Sequence, residues 1–312
     1  MRNNHLDPHT ATDIDAQVHK IIRDLGNPEP PLRLEQVREL LTLAKDYYST
    51  SDDGVLKRWV HQLKLAGKQI ADRPGFLIDF VKNFRIDALC LFDEKRILLS
   101  ETLPPAKQRW AEGHEIGHVI IPWHGPISLG DDKFTLTADC HDEMESEANF
   151  AARRLLFLRD RFKHEALGSA PTVQHVLNLK QSFGNTITTT FYGLIEVLDT
   201  PAFGLISGHP QKPPNDFNPA QPCRHFIRSR AFEVQFPGVD ERDLYALAKG
   251  YCSFGKWNLG SSEEVLMNVR GEPHVFRMET VFNHYDALTL GIHVRKYEVS
   301  VPAGGISARM SS

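Results

Sequence analysis

Residues Arg109 to His124 read RWAEGHEIGHVIIPWH, and within them His114-Glu115-Ile116-Gly117-His118 has the form H-E-x-x-H. On a helix turning about 100° per residue, positions four apart lie within roughly 40° of each other, so the two imidazoles share one face. Two imidazoles so placed can grip one metal ion. Zinc takes nitrogen ligands at about 2.0–2.1 Å, and a catalytic site of this kind has three protein ligands and one open position. Glu115, beside the first histidine, is then the candidate general base for a water that attacks a polarised carbonyl. The preceding Pro105-Ala106-Lys107-Gln108-Arg109-Trp110-Ala111-Glu112 is made of good helix formers behind a proline suited to the first turn, and Pro122 ends the helix.

A third ligand is needed, and four residues compete for it. His124 lies six positions after His118, but the related pattern with a third histidine turns on a glycine where this chain has Ile121. Downstream, Glu143 to Phe157 reads EMESEANFAARRLLF and is strongly helical. Of Glu143, Glu145 and Glu147, only Glu145 has Asn149 one turn on, able to bond a ligating histidine from behind. Glu145 is therefore preferred. Glu147, two residues away, is expected on a solvated side. Ala148 and Ala152, with Gly117 on the other helix, would let the two backbones approach closely.

Together, HEIGHVIIPWH and ESEANFAARRLLF resemble the ImmA/IrrE family of bacterial and phage metallopeptidases over Phe76 to about Leu158. The resemblance implies His114, His118 and Glu145 as zinc ligands and Glu115 as general base. It also implies a protein substrate, a helix-turn-helix transcriptional repressor whose cleavage releases stress-response or mobile-element genes. Two positions depart from the family pattern, Ala151 in place of a phenylalanine and Phe157-Leu158 in place of Met-Pro, and both concern packing.

The remainder of the chain supplies context. With 312 residues, 41% hydrophobic and 24% charged, two or three globular units are expected. A net charge of −4 gives no general pull toward nucleic acid or membrane. No apolar leader or membrane-length run is visible, and the four scattered cysteines suit a reducing compartment, so a cytoplasmic protein is expected.

Residues 1–30 read as a polar segment with a short helix from Ile14 to Leu25, ending in the linker-like Gly26–Pro31. Residues 31–165 read as the metallopeptidase domain. Helices are expected over Leu34–Tyr47, Val55–Ile70 and Phe76–Phe84, followed by a β-hairpin of Ala88–Phe92 and Arg96–Leu99. The strand carrying Arg96, Ile97 and Leu98 is the candidate sheet edge on which an extended substrate would be held.

Residues 166–200 read as a helix-turn-helix-like pair around Ser182–Thr186. No Arg or Lys lies between Asn185 and Leu198, so direct DNA binding is not expected of it. Residues 201–300 read as a C-terminal α+β module; some members of the family it resembles end in a GAF-like sensor domain of similar size and strand content, which implies a regulatory or sensing role. Its strands are expected at Ala202–Ser207, His225–Phe236, Glu264–Val269, Val275–Phe282 and Ala287–Val294, and its helix at Glu241–Lys249. Residues 301–312 read as a tail. The expected fold class is thus α+β, a mostly helical peptidase core with a small sheet, then the helical pair and the α+β module. Non-proteolytic alternatives are a sensor or regulator acting by protein contact, and a toxin–antitoxin partner. Cys140 is a candidate redox gate on the metal, and His124, His141 and Tyr192 are candidate oxyanion donors.

Overall fold

Pro105 opens a sixteen-residue helix that runs to Ile120, and Ile121 leaves it in an extended conformation, as the following Pro122 demands. The computed structural model describes residues 6–48, 88–91, 95–125, 138–215 and 217–297. The helices expected at Val55–Ile70 and Phe76–Phe84, most of the 92–95 turn and the 301–312 tail lie outside the described residues. The chain divides into two units, Met1–Leu194 and Ile195–Ser312.

In the first unit the helices are α1 (Pro8–Asp24), α2 (Leu34–Leu41), α3 (Pro105–Ile120), α4 (Ala138–Leu156), α5 (Asp160–Leu167), α6 (Val173–Phe183) and α7 (Ile187–Val197), the last running a few residues past the division. Helices α3 and α4 pack directly together, and α1 covers α4. Ile116 of α3 and Ala148, Ala151, Ala152 and Leu155 of α4 are all buried. Small residues matter here. A Cβ on Gly117 would stand 2.7 Å from the carbonyl oxygen of Ala148 and 3.3 Å from the Ala151 Cβ, so only glycine lets the backbones meet. Gly117→Ala is expected to cost about 1–3 kcal/mol and to lower metal affinity, because it forces apart the two helices that carry the candidate ligands. A thermal melt beside a zinc titration would check both effects.

Helix α3 lies on a three-stranded sheet of β1 (Ala44–Tyr48), β2 (Ala88–Leu91) and β3 (Arg96–Ser100). The strand order is β1-β3-β2, with β1 parallel and β2 antiparallel to β3. The expected hairpin is present, but the expected edge is not. Arg96, Ile97 and Leu98 sit on the central strand, paired on both sides, so β3 offers no free edge to a substrate. Its composition explains this: Ile97, Leu98 and Leu99 are consecutive and all buried, the pattern of a strand covered on both faces.

The helix expected over Leu34–Tyr47 likewise ends early. Thr42 takes a left-handed conformation after Leu41, and Ala44–Tyr48 joins the sheet beside β3. That pairing is with residues some fifty positions away, and local periodicity cannot report it. Polar clamps fix these pieces to the metal helix. The Glu112 carboxylate, buried on α3, accepts from Arg38 of α2 at 2.7 Å and Lys45 of β1 at 3.1 Å. Arg109 donates to the carbonyls of Leu32 at 2.8 Å and Phe183 at 3.4 Å.

Both helices expected in this stretch are present as α6 and α7, with Thr172 capping α6 and Gly184 left-handed at its end. Thr190, Phe191 and Leu194 of α7 are buried.

The second unit has an antiparallel sheet of β4 (Ala202–Ser207), β5 (Cys223–Arg228), β6 (Asn258–Met267), β7 (Pro273–Phe282) and β8 (Ala287–Lys296), in the order β5-β4-β8-β7-β6. Helices α8 (Arg230–Gln235) and α9 (Glu241–Tyr251) share its core through Phe203, Phe232, Phe236, Leu244 and Phe276. The run His225–Phe236, expected as one strand, is broken at Ser229, whose hydroxyl caps α8 by accepting from the Phe232 N–H. As the fold class requires, the whole is α+β.

Candidate metal centre

His114 and His118 point from one face of α3, and Glu145 meets them from α4. Their side chains are 15%, 12% and 41% exposed, so the three groups line a cleft rather than a sealed cavity. The separations are His114 Nε2 to His118 Nε2 3.2 Å, His114 Nε2 to Glu145 Oε2 3.1 Å and His118 Nε2 to Glu145 Oε1 3.5 Å. Ligands about 2.0–2.1 Å from a tetrahedral ion stand roughly 3.3–3.4 Å apart along each edge of the tetrahedron. The three observed edges cluster around that value, and the donor set of two nitrogens and one oxygen suits a divalent metal. Among the described residues this is the one group of three or more His, Cys, Asp or Glu side chains close enough to hold an ion.

The electrostatics follow from burial and from the single carboxylate. Burial disfavours the charged form of His114, but the bond to Glu145 and the charges of Glu115 and Glu145 outweigh it, and its pKa is raised. Burial dominates at His118 and pushes its pKa down to about 4. For Glu145, burial alone would favour the acid; bonds from His114 and His118 instead hold the carboxyl well below the usual range. The group that competes with a metal as pH falls is therefore His114. Metal affinity is expected to rise with pH through the titration of His114, which is raised from the ordinary histidine value of 6.5, with about one proton displaced per ion there. Chelator competition measured across that range checks the slope, and an affinity flat with pH would contradict it.

Glu115 is buried one residue from His114 and lies outside the ligating triad. Asn149 stands against His114 and adds a weaker influence of the same sign as Glu145. The His114 Nδ1 nonetheless has no hydrogen-bond partner among the described residues. His124 is not placed to ligate. The turn after Pro122, closed by His124 N to Ile121 O at 3.1 Å, brings its ring behind His118, with Nδ1 2.9 Å from the His118 Nδ1 and so on the far edge from the triad.

Glu147 is not on a solvated side. It is buried and accepts from Trp123 Nε1 at 2.6 Å and from His124 Nε2 at 2.7 Å. Position i+2 on α4 turns it away from the metal cleft but toward the post-Pro122 turn, a neighbour that spacing along one helix cannot reveal. The side chains of Cys140 and His141 lie outside those described. Tyr192 is buried with the Arg153 guanidinium over its ring.

Residues 78–192, which hold this cleft, match a protein-family model described as an IrrE N-terminal-like domain, peptidase M78. That segment is similar to the family. The matched segment holds both the H-E-x-x-H helix and the glutamate helix. No curated protein matches the chain. A solved structure titled "Mycobacterium tuberculosis transcriptional regulator" is similar over 94% of this chain and 90% of that one, at 12% identity and a TM-score of 0.49.

Beyond the peptidase domain, His274 and His293 meet across β7 and β8, Nδ1 to Nε2 at 3.0 Å, although nineteen residues apart in sequence. Glu272 Oε2 lies 4.0 Å from the other ring nitrogen of His274, and the two histidines belong to no ligating group of three among the described residues.

Proposed function

We propose that this protein is a zinc-dependent endopeptidase that hydrolyses a peptide bond in a regulatory protein, with Glu115 as general base. The observation that carries the reading is the His114–His118–Glu145 triangle, whose edges of 3.1 to 3.5 Å are those of a tetrahedral site, with Glu115 beside it in a peptidase-family segment. Bound zinc supplies Lewis acidity, polarising a carbonyl oxygen and acidifying water.

The chain's own part can be set out residue by residue. His114 and His118 present Nε2 atoms from a rigid helix, and Glu145 closes the third corner from a helix locked against it at Gly117. Glu115 takes a proton from the attacking water and returns it to the amide nitrogen as the C–N bond breaks, leaving a new carboxylate and a new amine. The substrate is held by something other than β3. Edge strands β1 and β2 remain the surfaces of that sheet to which an extended segment could add.

The choice of a helix-turn-helix repressor as substrate is supported by the likeness of HEIGH and ESEANFAARRLL to regulatory peptidases. Helix α7 contributes nothing to DNA recognition in this reading, because Thr190, Phe191 and Leu194 face its own core and it carries no Arg or Lys. We assign residues 201–300 a regulatory role, supported by their separate aromatic core and the lack of a second ligating cluster among the described residues. No described helix is long and apolar enough to cross a membrane.

The test is to incubate zinc-loaded wild type and Glu115→Gln with candidate helix-turn-helix repressors, starting with one encoded beside it if there is one, and to read the products by mass spectrometry. A single cut by wild type alone supports the proposal. Binding of that protein without cleavage by either would favour a non-proteolytic regulator, and a stable one-to-one complex that neutralises toxicity would favour a toxin–antitoxin pair.

A further inference from the structure

We propose that Trp123, Glu147 and His124 form a buried hydrogen-bonded relay that fixes the tautomer and orientation of His118, with His124 as the positioning residue. The inference rests on the reading of His114, His118 and Glu145 as metal ligands and assigns what stands behind them.

The relay follows from donor and acceptor bookkeeping. An ionised carboxylate only accepts, so Trp123 Nε1–H and His124 Nε2–H both donate to Oε2 of Glu147, at 2.6 and 2.7 Å. With its one proton on Nε2, the His124 ring has a bare Nδ1. That atom lies 2.9 Å from the His118 Nδ1, which must then carry the proton and donate it. His118 is left with a lone pair on Nε2, the atom that faces His114 and Glu145. Each partner's proton is thus set by the next, and the chain ends at an indole N–H that can only donate. Were His118 the other tautomer, its Nε2–H would point into the metal cleft and exclude the ion.

Burial makes the relay effective. The His124 side chain is 0% exposed and that of Glu147 8%, so water cannot stand in for either. Local sequence explains the placement. Pro122 stops α3, the short turn Ile121–His124 folds back, and α4 delivers Glu147 two residues past Glu145. Glu145 of α4 therefore faces the metal cleft while Glu147, two residues on, serves the histidine behind it. Outer partners of this kind, when removed, typically weaken metal affinity by 10- to 100-fold.

The experiment is zinc titration by chelator competition on the full-length apoprotein for wild type, His124→Leu, Glu147→Gln and the double variant, with imidazole nitrogen NMR of the zinc-loaded wild type. Expected are stoichiometric zinc in the wild type, a His118 protonated at Nδ1, a 10- to 100-fold loss of affinity in His124→Leu, and a smaller loss in Glu147→Gln. The double variant should be no weaker than His124→Leu, because Glu147 acts only through His124. Additive losses would instead indicate two unrelated packing defects and overturn the relay, as would affinity in His124→Leu within twofold of wild type. If His124→Leu does not fold, a loss in Glu147→Gln with an unchanged melting temperature carries the same test, and zinc affinity equal to wild type in that variant refutes it. Absence of zinc binding by the wild type would overturn the metal-site reading itself, a result distinct from failure of the relay.

Discussion

Glu145→Ala is expected to remain folded and to lose its metal. Glu145 is half-exposed at the mouth of the cleft, so its removal leaves the close approach of Gly117 on α3 to Ala148 and Ala151 on α4 in place. What disappears is the one carboxylate of the triad. Binding free energies for four-ligand structural zinc sites are about 10–16 kcal/mol, so one ligand is worth about 3 kcal/mol, or more than 100-fold in affinity. Zinc content after dialysis, measured beside the circular dichroism of the same sample, reads the effect. A second consequence follows at His114, which loses the main influence holding its pKa up, so that it titrates lower in the variant than in the wild-type apoprotein. Stoichiometric zinc in Glu145→Ala would show the third corner to be misassigned.

The second large effect separates chemistry from binding. Glu115→Gln keeps the size and burial of the side chain but cannot take up a proton. Because Glu115 is not one of the three ligating groups, zinc affinity should stay within about threefold of wild type. Peptide hydrolysis, in contrast, should fall by about 10²- to 10⁴-fold, the range expected on removal of a positioned general base. A turnover assay on the regulatory protein, run at equal zinc occupancy, tests this. Retained turnover would move the base elsewhere; lost zinc would mean that Glu115 supports the site structurally.

The two variants also bound the relay. Glu145→Ala removes a ligand, Glu115→Gln removes a base, and His124→Leu removes neither. A loss of affinity in the last must come from behind His118, with turnover at saturating zinc changed far less than in Glu115→Gln.

Much of the centre was legible in the sequence because its parts are local. H-E-x-x-H states a helical geometry by itself, and Pro105 and Pro122 mark its limits. Glu145 could be preferred over its neighbours because Asn149, Ala148 and Ala152 share its helical periodicity. Glu147 could not be placed by the same logic. Its partners, Trp123 and His124, lie on another segment, and a carboxylate two residues from a ligand looks solvated until that segment is folded against it. The substrate strand failed for a related reason, since whether Arg96–Ser100 is an edge depends on β1, whose residues read locally as the end of a helix.

Sequence by itself therefore determined what periodicity and backbone chemistry encode: the two ligand-bearing helices, their close contact at Gly117, the helical pair after them and the strand-rich second unit. Tertiary structure decided what depends on distant pairing: the central position of β3, the clamp of Glu112 by Arg38 and Lys45, the break at Ser229 and the contacts of Glu147 with Trp123 and His124. The physical reason is that a helix repeats every 3.6 residues along its own chain, whereas a sheet neighbour or a buried hydrogen bond is chosen across the fold, where no spacing rule applies.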